Sequence, residues 1–202
     1  MKTTPLMASA VAVLGLLGAT SAQADTLVYN AMLSGANESP PVASFGTGFG
    51  IVTLDTTSFT MRVQSIFAGL TGPTTVAHIH CCTAVPGAGT VGVATPTPTF
   101  PGFPAGVTSG TYDVTFNMLD TASWNAAYIT NNGGTVNSAF NALAAGMAGG
   151  SAYLNIHSSF APGGEIRGFL VAQIPEPSTY ALMALGLAAL GGLARRQRRP
   201  AA

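Results

Sequence analysis

The chain has 202 residues with seven basic and seven acidic side chains, three histidines, two cysteines, 25 glycines and 13 prolines. Charged residues make up only 7% and the formal net charge is zero. That balance argues against nucleic acid as a partner, because such binding rests on clustered Lys and Arg.

In chain order, Lys2 is followed by an apolar stretch over residues 6–19 and then by Ala22-Gln23-Ala24. A positive start, a short hydrophobic region and small residues at the inspected positions make a secretory signal, which signal peptidase would cut between Ala24 and Asp25. The apolar run is too short for the roughly 20 residues that a membrane-spanning helix needs. Removing residues 1–24 and a C-terminal tail over 175–202 leaves one domain, 25–174, a size that suits a single core. Within it only Arg62 and Arg167 are basic, against six acids, so the domain is near −4.

Strand signals fall at 26–33, 46–54, 58–67, 75–80, 111–116, 152–157 and 165–171. The clearest is 58–67, where Phe59, Met61, Val63 and Ser65 alternate with Thr60, Arg62 and Gln64. Residues 86–104 are rich in Pro, Gly and Thr and predict an irregular surface loop. Two helices follow, one over 120–129 capped by Asp120 and one over 135–147 with Val136, Phe140 and Leu143 on one side. Seven short strands with a helical insertion predict a mostly β fold. Its expected form is an antiparallel β-sandwich or barrel of immunoglobulin-like or superoxide-dismutase-like plan, with a mixed α+β sheet as the alternative.

All three histidines lie in strand segments. Residues two apart on a strand share a face, so His78 and His80 point opposite to Ala77 and Ile79. By the same parity Tyr153, Asn155 and His157 oppose Leu154 and Ile156, and Glu165 and Arg167 oppose Ile166 and Leu170. If these strands are neighbours, His78, His80, Asn155, His157, Glu165 and Arg167 form one polar face. Three imidazoles so placed suit Zn or Cu. Glu165 and Arg167 would pair with each other or orient a histidine. The plainer alternative is a set of structural hydrogen bonds between strands.

Cys81-Cys82 follows His80. In an oxidising compartment the pair reads as a vicinal disulfide, an intermolecular bridge, a soft metal ligand or two reduced thiols. No Gly-x-Ser-x-Gly, phosphate loop or His-Glu-x-x-His motif is present, which favours binding over catalysis.

The tail reads Pro175-Glu176-Pro177-Ser178-Thr179, a short uncharged segment, then Arg195-Arg196-Gln197-Arg198-Arg199. Arginines beside an apolar segment stay on the cytoplasmic side. This order resembles the PEP-CTERM sorting signal. The resemblance implies a Gram-negative bacterium, an inner-membrane precursor held transiently by the C-terminal helix, and cleavage near Pro175-Glu176-Pro177 by an exosortase. It also implies a final place at the cell surface or in an exopolysaccharide matrix.

Between the ends, Leu33-Ser-Gly-Ala-Asn-Glu38-Ser-Pro-Pro41-Val42, Gly69-Leu70, Ala77-His78-Ile79-His80, Tyr153-Leu154-Asn155-Ile156-His157 and Pro162-Gly163-Gly164-Glu165-Ile166-Arg167-Gly168 together resemble the CHRD domain. That resemblance implies an extracellular β-rich module; Cys81-Cys82 and the proline-rich loop are additions to its pattern. Ala77 to His80 is also similar to a metal-binding strand of copper/zinc superoxide dismutases, but three histidines are too few for the remaining dismutase ligands. Two functions are therefore expected. The first is a non-enzymatic surface or matrix protein whose domain binds exopolysaccharide or another surface protein. The second is a Zn or Cu protein, or a metalloenzyme, using His78, His80 and His157.

Overall fold

The structure, a computed structural model, describes residues 26–173 together with 182, 183, 185–188 and 190. The expected signal peptide with its cleavage site at Ala24 and Asp25, and the Pro175-Glu176-Pro177 motif, lie outside the described residues. Among the described residues no helix is long and apolar enough to cross a membrane.

The strands are β1 Thr26–Ser34, β2 Thr47–Asp55, β3 Thr60–Ala68, β4 Thr74–His80, β5 Gly110–Asn117, β6 Tyr153–Ser158, β7 Ile166–Phe169 and β8 Val171–Ala172. They form one curled antiparallel sheet in the order β4-β6-β7-β1-β2-β3-β5, with β8 on β1. The expected mostly β, antiparallel plan is therefore present. The last predicted strand is split at Leu170, whose N–H donates to Ala152 O while the next two residues pair with Tyr29 and Asn30 of β1.

Alternation places Tyr29, Ala31 and Leu33 of β1, Val52 and Leu54 of β2, Met61 and Val63 of β3, and Leu154 and Ile156 of β6 in the core. Phe59, expected as an inward strand residue, instead sits in the turn before β3 with φ 53°. Its ring still packs on Phe140, 5.2 Å between centroids.

The helix expected over 120–129 is two pieces. Asp120 caps a 3-10 turn, Thr121–Ser123; Trp124 then leaves helical geometry at φ −133°, and Asn125 caps α1, Ala126–Asn131. Burial of Trp124 accounts for the break, since its indole N–H donates to Met118 O at 2.9 Å and its ring stacks on Tyr128. Helix α2, Val136–Ala148, starts with a Thr135–Ser138 capping box and buries Phe140, Leu143 and Met147.

The loop expected at the surface over 86–104 is irregular, yet Ala94, Thr95, Phe100 and Phe103 are buried. β4 ends the sheet, and its outward N–H and C=O groups need partners. Ile79 N–H donates to Thr95 Oγ1 and Ala77 N–H to Thr99 Oγ1, both at 2.9 Å. Ala94 N–H and Phe100 N–H donate back to Ile79 O and Ala77 O. Threonine hydroxyl oxygens thus accept from the N–H groups of this edge, and loop N–H groups donate to its carbonyls.

Candidate metal centre

Register brings the polar residues together. His78 pairs with Asn155 and His80 with Tyr153 across β4 and β6; Asn155 pairs with Arg167 and Tyr153 with Phe169 across β6 and β7. His157 lies two residues beyond Asn155 on the same face. The face expected to be the polar side of the sheet is covered. His78, His80 and His157 are 5%, 8% and 8% exposed, Asn155 2% and Arg167 3%. The loops that bury them supply backbone carbonyls at Asn37, Gly89, Val91, Pro98 and Pro162.

Those carbonyls fix the imidazoles. His78 Nε2 lies 2.5 Å from Pro98 O, His80 Nδ1 2.8 Å from Val91 O, and His157 Nδ1 2.9 Å from Pro162 O. A carbonyl oxygen only accepts, so each of these nitrogens carries the proton. The lone pairs then belong to His78 Nδ1, His80 Nε2 and His157 Nε2, three buried atoms without a hydrogen-bond partner. One ring nitrogen from each histidine lies within 4.8 Å of the others.

Burial lowers the pKa of all three rings, that of His80 to about 4, with the neighbouring imidazoles adding repulsion at His80. At neutral pH they are uncharged donors. A ligating histidine held through its other N–H by a carbonyl is the usual outer-shell arrangement of metal sites. Metal–nitrogen bonds of about 2.0–2.1 Å put tetrahedral ligands roughly 3.4 Å apart, so to share one ion the three nitrogens would have to draw in from their present spread of up to 4.8 Å.

The predicted Glu165–Arg167 pairing does not occur, and Glu165 is not on the histidine face. Glu165 precedes β7, and its carboxylate accepts from Ser44 Oγ at 2.6 Å, Thr71 N–H at 2.5 Å, Gly72 N–H at 3.3 Å and Ser158 Oγ. Ser158 shares parity with Leu154 and Ile156, so Glu165 sits toward the core side and ties three loops together. Its burial pushes the carboxyl pKa up, but these four donors outweigh that and hold it below the usual carboxylate value.

Arg167 instead meets Glu38, with Nε 3.6 Å from Oε2, and donates to Asn37 O and Gly89 O at 2.5 and 2.9 Å. Burial pushes Glu38 up to about 7 even though Arg167 pulls it down. Beyond this pair opens a cavity of about 580 Å³, lined in part by Asn30, Met32 and Phe169. Gly164 at φ +131° lies against Asn155 and Glu38, and a Cβ there would collide with both. Cys81 and Cys82 form a vicinal disulfide across a cis peptide bond. Their sulfurs are therefore unavailable as metal ligands.

Sequence reasoning missed Glu38 as the partner of Arg167, since a separation of 129 positions carries no pairing signal. It also missed Ser44, Thr71 and Ser158, common residue types whose role appears only once loops meet. Tyr153 was placed on the right face, but its stacking on His80 at 4.7 Å was not foreseen.

The family model for the CHRD domain matches residues 29–170, and that for the PEP-CTERM protein-sorting motif matches residues 173–199. No curated protein and no solved structure matches the chain.

Proposed function

The chain belongs to the CHRD-domain family and is exported and sorted by an exosortase, and we propose that its domain holds one transition-metal ion on His78, His80 and His157. One observation carries this reading: three buried imidazoles, each held by a carbonyl on one nitrogen and unpartnered on the other, bring one ring nitrogen apiece within 4.8 Å of one another. Leaving three acceptors buried without donors is costly, and a bound cation removes that cost. Zinc and copper both suit imidazole.

In this reading the protein ends at the cell surface or in the extracellular matrix as a metal-carrying module. The same burial weighs against the other expectation. A polymer such as exopolysaccharide, or a partner protein, needs an open surface, and these histidines lie beneath loops.

The test is metal content of the exported, mature protein. One zinc or copper ion per chain is expected in the wild type and loss of that ion in His78→Ala and His157→Ala, each checked for retained fold by circular dichroism. Metal-free wild-type protein that also takes up neither ion on addition would overturn the proposal.

A further inference from the structure

We infer that the ion taken by His78, His80 and His157 is copper(I) in preference to zinc(II); this rests on the metal reading above and names its cargo.

The argument is one of charge and coordination number. The three donors are neutral. Among the described residues no carboxylate or thiolate joins them within the 4.8 Å cluster. The two cysteine sulfurs are locked in the Cys81–Cys82 disulfide. Of the nearby carboxylates, Glu165 accepts from four donors, and Glu38 turns Oε2 to Arg167 at 3.6 Å while neither of its oxygens belongs to the histidine cluster.

The nearby fixed charge has the wrong sign for a dication. The Arg167 guanidinium lies 4.8 Å over the Tyr153 ring, Tyr153 stacks on His80 at 4.7 Å, and Arg167 acts on His80 as a repulsive positive charge. The cost of taking an ion out of water rises with the square of its charge, so a dication incurs about four times the cost of a monocation. A buried site with neutral ligands and an adjacent guanidinium therefore selects against zinc(II).

Coordination number points the same way. Zinc takes four ligands, closed by protein in structural sites or by water in open ones. Here three protein nitrogens are offered, and the rings are nine-tenths buried. Copper(I), a closed-shell monocation, is satisfied by three nitrogen donors and needs no anion to complete its shell.

The experiment is a pair of competition titrations on the mature protein, kept under ascorbate so that the disulfide stays closed. Copper(I) is titrated against bicinchoninate and zinc(II) against pyridylazoresorcinol, each with wild type, His157→Ala and Arg167→Gln. The expected result is at least a hundredfold tighter binding of copper(I), lost in His157→Ala. Arg167→Gln should narrow the gap by raising zinc affinity more than copper affinity. Zinc(II) binding as tight as or tighter than copper(I), through the same histidines, would overturn the copper assignment while leaving the metal site standing. Failure of both ions to bind would overturn both.

Discussion

His80 and Tyr153 lie face to face, ring centroids 4.7 Å apart and planes 5° from parallel, while the Arg167 guanidinium covers the same Tyr153 ring at 4.8 Å. The tyrosine thus sets the orientation of one proposed ligand from behind. Its hydroxyl contacts Val91 only at 3.4 Å, so the ring matters more than the oxygen. Tyr153→Phe should match wild type in stability to about 1 kcal/mol and bind metal equally well. Tyr153→Leu should lose roughly 1–3 kcal/mol and weaken metal binding about tenfold. Urea unfolding and metal titration check both; unchanged binding in Tyr153→Leu would remove the ring from the account.

Glu165 gives a contrasting case, a buried carboxylate whose work is structural. Glu165→Gln turns an amide donor toward groups that are themselves donors. It should cost about 2–3 kcal/mol in urea unfolding and leave the metal content of the folded protein unchanged. Loss of metal without loss of stability would mean that Glu165 acts at the histidines after all.

Two buried groups give opposite pH dependences. Glu38, raised to about 7, binds its proton more tightly when folded. Its contribution is complete below the ordinary carboxylate value and is lost as pH rises through 7. The metal-free histidines have lowered values, so theirs is present above the ordinary imidazole value and lost as pH falls, for His80 through about 4. Wild type should therefore lose stability relative to Glu38→Gln between pH 6 and pH 8. Urea midpoints at the two pH values measure this, and a constant difference would show that Glu38 is not perturbed.

Gly146 of α2 faces the disulfide, and a Cβ there would run into both sulfurs. Gly146→Ala should destabilise by about 1–3 kcal/mol, despite the better helix propensity of alanine. With Cys81 and Cys82 both changed to alanine, the same substitution should become neutral or stabilising, by up to about 1 kcal/mol. Thermal unfolding of the four proteins completes the cycle; an equal penalty in both backgrounds would place the clash elsewhere.

Much of this was legible in the sequence because strands encode their faces with a period of two. His78, His80, Asn155, His157 and Arg167 reach one face by parity alone, and register across β4, β6 and β7 makes them neighbours. Parity failed at Glu165 because the strand begins one residue later, at Ile166. Burial of the face was not legible either. It depends on carbonyls of Val91, Pro98 and Pro162, and backbone groups in irregular loops leave no trace in residue type. The helix over 120–129 broke for a related reason, since the tertiary burial of Trp124 overrode local propensity.

Whether three imidazole lone pairs share one ion is decided by anomalous diffraction from a crystal of metal-loaded protein. One strong anomalous peak is expected, bonded to His78 Nδ1, His80 Nε2 and His157 Nε2, with the opposite ring nitrogens still held by Pro98, Val91 and Pro162. A structure with no peak there, or with a water molecule donating to these nitrogens in its place, would contradict it.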